Sequence, residues 1–178
     1  MKKTVFALTL ALCFGLTGPA FTQNAPQMDN AAITAKFRAA AERGNPYAQY
    51  NLGRNYADGM GVERDDAQAV AWYRKAADQG HAPAQYNLGF MYLTGRGVEP
   101  DDAKAIEMFR KAAEQGHAPA QYSLGRMYAI GRSVERDDAQ AVAWYRKAAD
   151  QNHPGAQEAL REMEASGETP SRTRELSF

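Results

Sequence analysis

Cysteine is almost missing: Cys13 is the only one among 178 residues, so no disulfide can form within the chain. Histidine is scarce, with only His81, His117 and His153. Neither sign of charge dominates. Lysine and arginine number 21, aspartate and glutamate 21, and the formal net charge is zero. That balance leaves no basic face for nucleic acid. No serine-nucleophile motif, phosphate loop or metal-binding helix motif occurs, so the usual signatures of hydrolase, nucleotide and metal chemistry are missing. The apolar run from Val5 to Leu16 is too short for a membrane span, which needs about 20 residues.

That run does have a reading. Lys2 and Lys3 precede it, and Gly18-Pro19-Ala20 offers a small-x-small cleavage site. Residues 1–20 therefore read as a secretory signal peptide. Leu12, before Cys13, is not the small residue that lipoprotein cleavage requires. Cleavage would remove the lone cysteine and leave 19 basic against 21 acidic residues, a net charge of −2. The expected product is periplasmic or secreted, disulfide-free and held together by packing alone. About 158 residues remain, enough for one domain.

What the chain has in abundance is itself. Gly44, Gly80 and Gly116 mark a 36-residue step, repeated in Ala48/Ala84/Ala120, Leu52/Leu88/Leu124, Gly53/Gly89/Gly125 and Tyr56/Tyr92/Tyr128. Residues 44–79 and 116–151 are identical at 28 of 36 positions. A period in this range signals a stacked repeat array, in which each unit buries its apolar face only against its neighbours.

Each unit reads as two helices. Helix A runs from about Pro46 to Ala57, with Ala48, Leu52 and Tyr56 on one face. A glycine inside a helix costs about 1 kcal/mol against alanine. Gly53 recurs as Gly89 and Gly125, which predicts a close approach of helix B. Helix B runs from about Asp66 to Gln79, capped by Asp65, with Ala69, Trp72, Tyr73 and Ala76 as the packing face and Gly80 as the stop. Residues 30–43 match a lone helix B that opens the stack. Residues 152–166 match a closing helix A, where Glu158, Arg161 and Glu164 replace Tyr50, Gly53 and Tyr56. An outermost helix has no neighbour to bury those positions. The expected order is signal peptide 1–20, flexible linker 21–29, array 30–166 with units 44–79, 80–115 and 116–151, and flexible tail 167–178.

The residues that carry chemistry have structural readings. The three histidines sit at equivalent places, and in-register side chains on helices 8–10 Å apart cannot share one metal easily. They read as polar residues at the start of helix A. Asp65/Asp66, Asp101/Asp102 and Asp137/Asp138 read as helix starts rather than as an acid–base pair, and Gly59-Met60-Gly61 reads as a turn. Trp72 and Trp144 read as core. No catalytic residue, cofactor site or metal site is expected. All eight differences between the first and third units fall in helix A and its loop, which marks that segment as the part where units are individualised.

The stretch Gly80-His81-Ala82-Pro83-Ala84-Gln85-Tyr86-Asn87-Leu88-Gly89, followed by Tyr92, Gly95-Arg96-Gly97-Val98, Asp101-Asp102, Ala105 and Arg110-Lys111-Ala112-Ala113, resembles the Sel-one-like repeat family, relatives of the tetratricopeptide repeats. The likeness covers about residues 30–166, with Ser133 departing from Gly61 and Gly97 in a turn it is expected to strain. It implies an all-α, right-handed α-solenoid of stacked helix-turn-helix repeats with about eight helices. It also implies an adaptor or scaffold, with exported bacterial members acting in envelope regulation, secretion, or host-cell entry and virulence. Cysteine-rich relatives have been discussed as β-lactam-directed. Their paired cysteines are missing here, so that activity does not carry over.

In such arrays helix A lines the concave face. The alignment implies that Tyr50, Arg54, Ala57 and Asp58 lie there, followed by Tyr86, Phe90, Leu93 and Thr94, then Tyr122, Arg126, Ala129 and Ile130. Phe90 stands between Arg54 and Arg126, which would suit a peptide with an apolar anchor and acidic groups. The tyrosines could equally be ordinary packing between helices. The expected function is a monomeric, non-catalytic protein-interaction module that binds a protein or peptide partner in this groove. A cell-wall or β-lactam-directed hydrolase and a self-associating structural protein, stacked through Phe37 and Tyr47, remain the alternatives.

Overall fold

The computed structural model describes residues 29–166. The expected signal peptide, linker residues 21–28 and tail 167–178 lie outside the described residues. Within them the chain forms eight α-helices and no strand: α1 (Asn30–Glu42), α2 (Pro46–Asp58), α3 (Asp66–Asp78), α4 (Ala82–Thr94), α5 (Asp102–Glu114), α6 (Ala118–Ile130), α7 (Asp138–Ala149) and α8 (Pro154–Ser166). Each helix packs on its neighbours in sequence, most extensively within the pairs α2–α3, α4–α5 and α6–α7. This is the solenoid that the period predicts. None of these helices is long and apolar enough to cross a membrane.

Side-chain caps mark most of the helix starts. Asp65, Asp101 and Asp137 accept hydrogen bonds from the backbone N–H of Gln68, Lys104 and Gln140, each at 2.9 Å. Asn45 caps α2, and the Nδ1 atoms of His81 and His153 cap α4 and α8. Left-handed glycines at Gly59, Gly95 and Gly131 end α2, α4 and α6. Ser133 does hold φ at +56° in its turn.

The core runs along the stack. Leu52, Leu88, Leu124 and Phe109 are buried, each contributing about 1.5–3 kcal/mol by leaving water. The helix-A glycines explain themselves. A Cβ built on Gly53, Gly89 or Gly125 would meet the ring of Tyr73, Phe109 or Tyr145 at 2.7–2.9 Å. One sequence expectation is corrected here. Tyr73 and Tyr145 fill the core, whereas Trp72 and Trp144 lie half-buried at the flank, with Lys75 and Lys147 over their rings at 3.8 and 4.0 Å. The ring opposite the glycine notch is the one that becomes enclosed, and the tryptophan one position earlier packs on the core from its edge.

In-register polar links tie the two ends of each unit together through glutamines and join successive units through arginines. Gln79, Gln115 and Gln151 donate to Gln49, Gln85 and Gln121 at 2.7–2.8 Å. Arg96 grips Asp66 with two nitrogens at 2.6 and 3.2 Å, and Arg132 grips Asp102 at 2.8 and 2.9 Å. The second aspartate of each of these two pairs is therefore a joint, beyond the helix-start role that the sequence reading gave it. At the N-terminal joint the equivalents are Asn30 and Met60, and buried Thr34 does the linking. Its hydroxyl donates to Met60 O at 3.0 Å and accepts from Asn55 Nδ2 at 2.7 Å. At the C-terminal end, Glu158, Arg161 and Glu164 are exposed, as a closing helix requires.

Candidate functional site

Two adjoining recesses lie where the helix-A residues converge. One, of about 200 Å³, is walled by Tyr86, Phe90 and Leu93 of α4 and by Tyr122, Arg126 and Ile130 of α6. The other, of about 180 Å³, is walled by Arg54, Ala57 and Asp58 of α2 with Asn87 and Phe90 of α4 and with Arg96. Phe90 belongs to both. The structure thus brings together seven of the nine expected residues: Arg54, Asp58, Tyr86, Phe90, Tyr122, Arg126 and Ile130. Tyr50 and Thr94 line neither recess. The Thr94 hydroxyl turns back to donate to Phe90 O at 2.8 Å.

The two apolar residues of the group are exposed well beyond what packing explains. Phe90 keeps 43% of its surface in water and Ile130 keeps 63%. The tyrosines behave differently. Tyr50, Tyr86 and Tyr122 are half-buried, each lying 5.7–6.0 Å from the core ring of Tyr73, Phe109 or Tyr145. Each also stacks on the histidine that opens the next unit, at 5.0, 5.1 and 4.7 Å for His81, His117 and His153. Inter-helix packing accounts for them, and their rings form the floor on which the exposed groups stand.

Charge is arranged unevenly. Arg96 is engaged with Asp66, whose carboxyl it holds down at about 2. Arg132 is engaged with Asp102 and lowers that carboxyl in the same way. Arg54 and Arg126 have no carboxylate partner among the described residues. They lie over the rings of Tyr50 and Tyr122 at 6.0 and 5.9 Å. Two exposed guanidiniums therefore flank the exposed Phe90, with Asp58 near the first.

The sequence reading missed Asn87, Ser123, Met127 and Arg132 as wall residues. Arg96 and Arg132 carry a readable signal, because an aspartate lies 30 residues before each. His81 and His153 cap helices, and all three histidines pack on tyrosine rings. Among the described residues, no cluster of three or more metal-ligating side chains occurs.

The Sel1 repeat profile matches residues 46–81, 82–117 and 118–153. Among solved structures, c5321, a protective antigen present in uropathogenic Escherichia coli strains and displaying an SLR fold, is 42% identical at a TM-score of 0.75. That match covers 78% of this chain and 30% of the other. A Sel1 repeat protein from Oxalobacter formigenes is 34% identical at a TM-score of 0.74, covering 78% of this chain and 57% of its own. The chain thus spans under a third of one relative and a little over half of the other. No curated protein is matched. Three consecutive profile matches on a stack of paired helices, each with its glycine notch, make this chain a member of the Sel1 repeat family.

Proposed function

We propose that this chain is an exported, non-catalytic adaptor that holds an acidic, apolar-anchored protein segment across the two recesses. Sel1 repeats generally serve as protein-interaction scaffolds, and this reading assigns the scaffold a place and a chemistry. The observation that carries it is the exposure of Phe90 and Ile130 on one recess beside Arg126, whose charge has no carboxylate partner among the described residues. A partner's apolar side chain entering there removes both from water, and its carboxylate meets the guanidinium. Export rests on the leader pattern of residues 1–20, and a role in the envelope or at the host surface rests on the family resemblance. The E. coli relative's description as a protective antigen supports that direction.

The test is affinity selection of random peptides on the purified chain. Enrichment of sequences that combine an aromatic or large aliphatic residue with aspartate or glutamate is expected. The Phe90→Ala, Ile130→Ala double variant should bind a selected peptide at least about tenfold more weakly, the signature of a residue worth more than about 1 kcal/mol. Both side chains are largely exposed, so the variant should stay folded with only a small change in thermal stability. Selected peptides without that composition, or equal binding by the variant, would remove the recesses from consideration. Sedimentation across concentrations should show a monomer, and cell fractionation should place the chain outside the cytoplasm.

A further inference from the structure

We propose that His81 and His117 are acid-responsive joints: protonation turns an acceptor held against the start of a helix A into a donor and loosens the contact with the preceding unit. The geometry is shared. The backbone dihedrals of the two residues agree within one degree, at φ −70° with ψ 103° and 104°. Their rings lie on Tyr50 and Tyr86 at 5.0 and 5.1 Å with tilts of 41° and 43°.

At His81, Nδ1 accepts a hydrogen bond from the Ala84 N–H at 3.3 Å, which requires the proton to sit on Nε2. At His117, Nδ1 is buried with no hydrogen-bond partner. A proton on either Nδ1 would set an N–H against the N–H groups of the first helical turn. It would also place a positive charge at the positive end of the helix dipole, and it would charge a ring partly removed from water. The tyrosine below offers a cation–π attraction in return, one favourable contribution against three unfavourable ones.

Among the described residues no opposite charge faces either ring. His81 faces Tyr47 at 4.8 Å and Tyr50 from α2. His117 faces Tyr86 from α4, and the charged group whose field reaches it is His81 itself. Burial holds both imidazoles below the ordinary histidine range, and His81 lowers His117 further. The sign follows. The joints are at full strength above the ordinary histidine value of about 6.5 and weaken as the pH falls below it.

The array contains its own control. Asn45 occupies the same place in the first unit and caps α2 through Oδ1 at 3.0 Å, with a side chain that does not titrate. His81→Asn with His117→Asn therefore installs a cap the protein already uses. Melting of the wild type and of this double variant, both without a histidine tag, is compared at about pH 7.5 and about pH 5.5. The wild type should lose several degrees on acidification and the variant much less. Equal losses in the two proteins overturn the proposal. So does NMR titration of the wild-type imidazoles that finds His81 and His117 at or above the ordinary value. That second measurement stands even where the double variant does not fold.

A consequence for the recess rests on the interaction reading above. Tyr86, under His117, is part of its wall, so peptide affinity should fall with acid in the wild type and hold in the variant. Affinity without pH dependence overturns this consequence alone, because melting tests the joints whether or not any peptide binds.

Discussion

Replacing Gly89 by alanine sets two effects of opposite sign against each other. Helix propensity favours the change by about 1 kcal/mol, since glycine is the poorer residue inside a helix. Space opposes it. The new Cβ would sit 2.9 Å from both Cδ1 and Cε1 of Phe109 and 3.1 Å from Ala105 O. Phe109 is 1% exposed, its ring is held against Tyr86 at 5.7 Å, and the other close atom is α5 backbone, which cannot swing aside. Overpacking of this kind costs about 1–3 kcal/mol, and separating α4 from α5 also loosens the contacts around it. The clash should win, with net destabilisation of about 1–2 kcal/mol and a melting temperature lower by about 2–8 °C. Urea unfolding followed by circular dichroism measures it. Gly116 is the contrast, with φ at +87° and nothing within 4 Å of a built Cβ. Gly116→Asn should be mild, because Asn152 holds φ +62° at the same place one unit on. A Gly89→Ala protein that unfolds at the wild-type midpoint or above would refute the close-approach account of the helix-A glycines.

Thr34→Val should cost about 1–3 kcal/mol by stranding Met60 O and the Asn55 amide. Adding Asn55→Met, the residue type at positions 91 and 127, should recover most of that loss in chemical denaturation. Asp66→Asn should cost about 1 kcal/mol, kept small by the partial exposure of Arg96. The Asp66 carboxyl is lowered from 3.8 to about 2, so its contribution is complete above pH 3.8 and disappears as the pH falls toward 2. Acid titration of the variant's stability should be flatter in that window. Burial pushes the phenols of Tyr73 and Tyr145 up to about 12. Ultraviolet titration should therefore show two of the nine tyrosines ionising late, with stability falling as the pH rises from 10 toward 12.

Helix order, the aspartate caps of the helix-B elements and the glycine notch are legible from the period, because they depend on contacts that every unit repeats. The choice between Trp72 and Tyr73 is not, since adjacent positions on a helix differ by angle and the notch on the facing helix decides which is enclosed. The eight differences between the first and third units mark helix A and its loop as the part where units are individualised, and the structure divides them. Asn55 with Thr34 fits one joint, Arg132 with Asp102 fits another, and Asn45 is a cap, as its counterpart His117 is placed to be. Asp58 and Ile130 remain on the recesses and Ser123 joins them. A sequence shows that two units differ. Only the stack shows which residue of the neighbouring unit each difference answers. For the recesses, the pattern puts Phe90 and Ile130 on one surface, and both are exposed. It could not show that the tyrosines were committed to histidine rings.

The links that cross from one unit to the next have a consequence for growth by duplication. A second copy of residues 80–115 inserted after Gln115 would bring a new arginine to Asp102 and a new glutamine to the Ala113 carbonyl, the two places that Arg132 and Gln121 occupy now. It would hand the following unit the same two partners that it has now. No side chain would need to change. The chain is thus a register that can be lengthened in frame, and a longer or shorter sibling would keep every joint while the number of recesses along the stack changed.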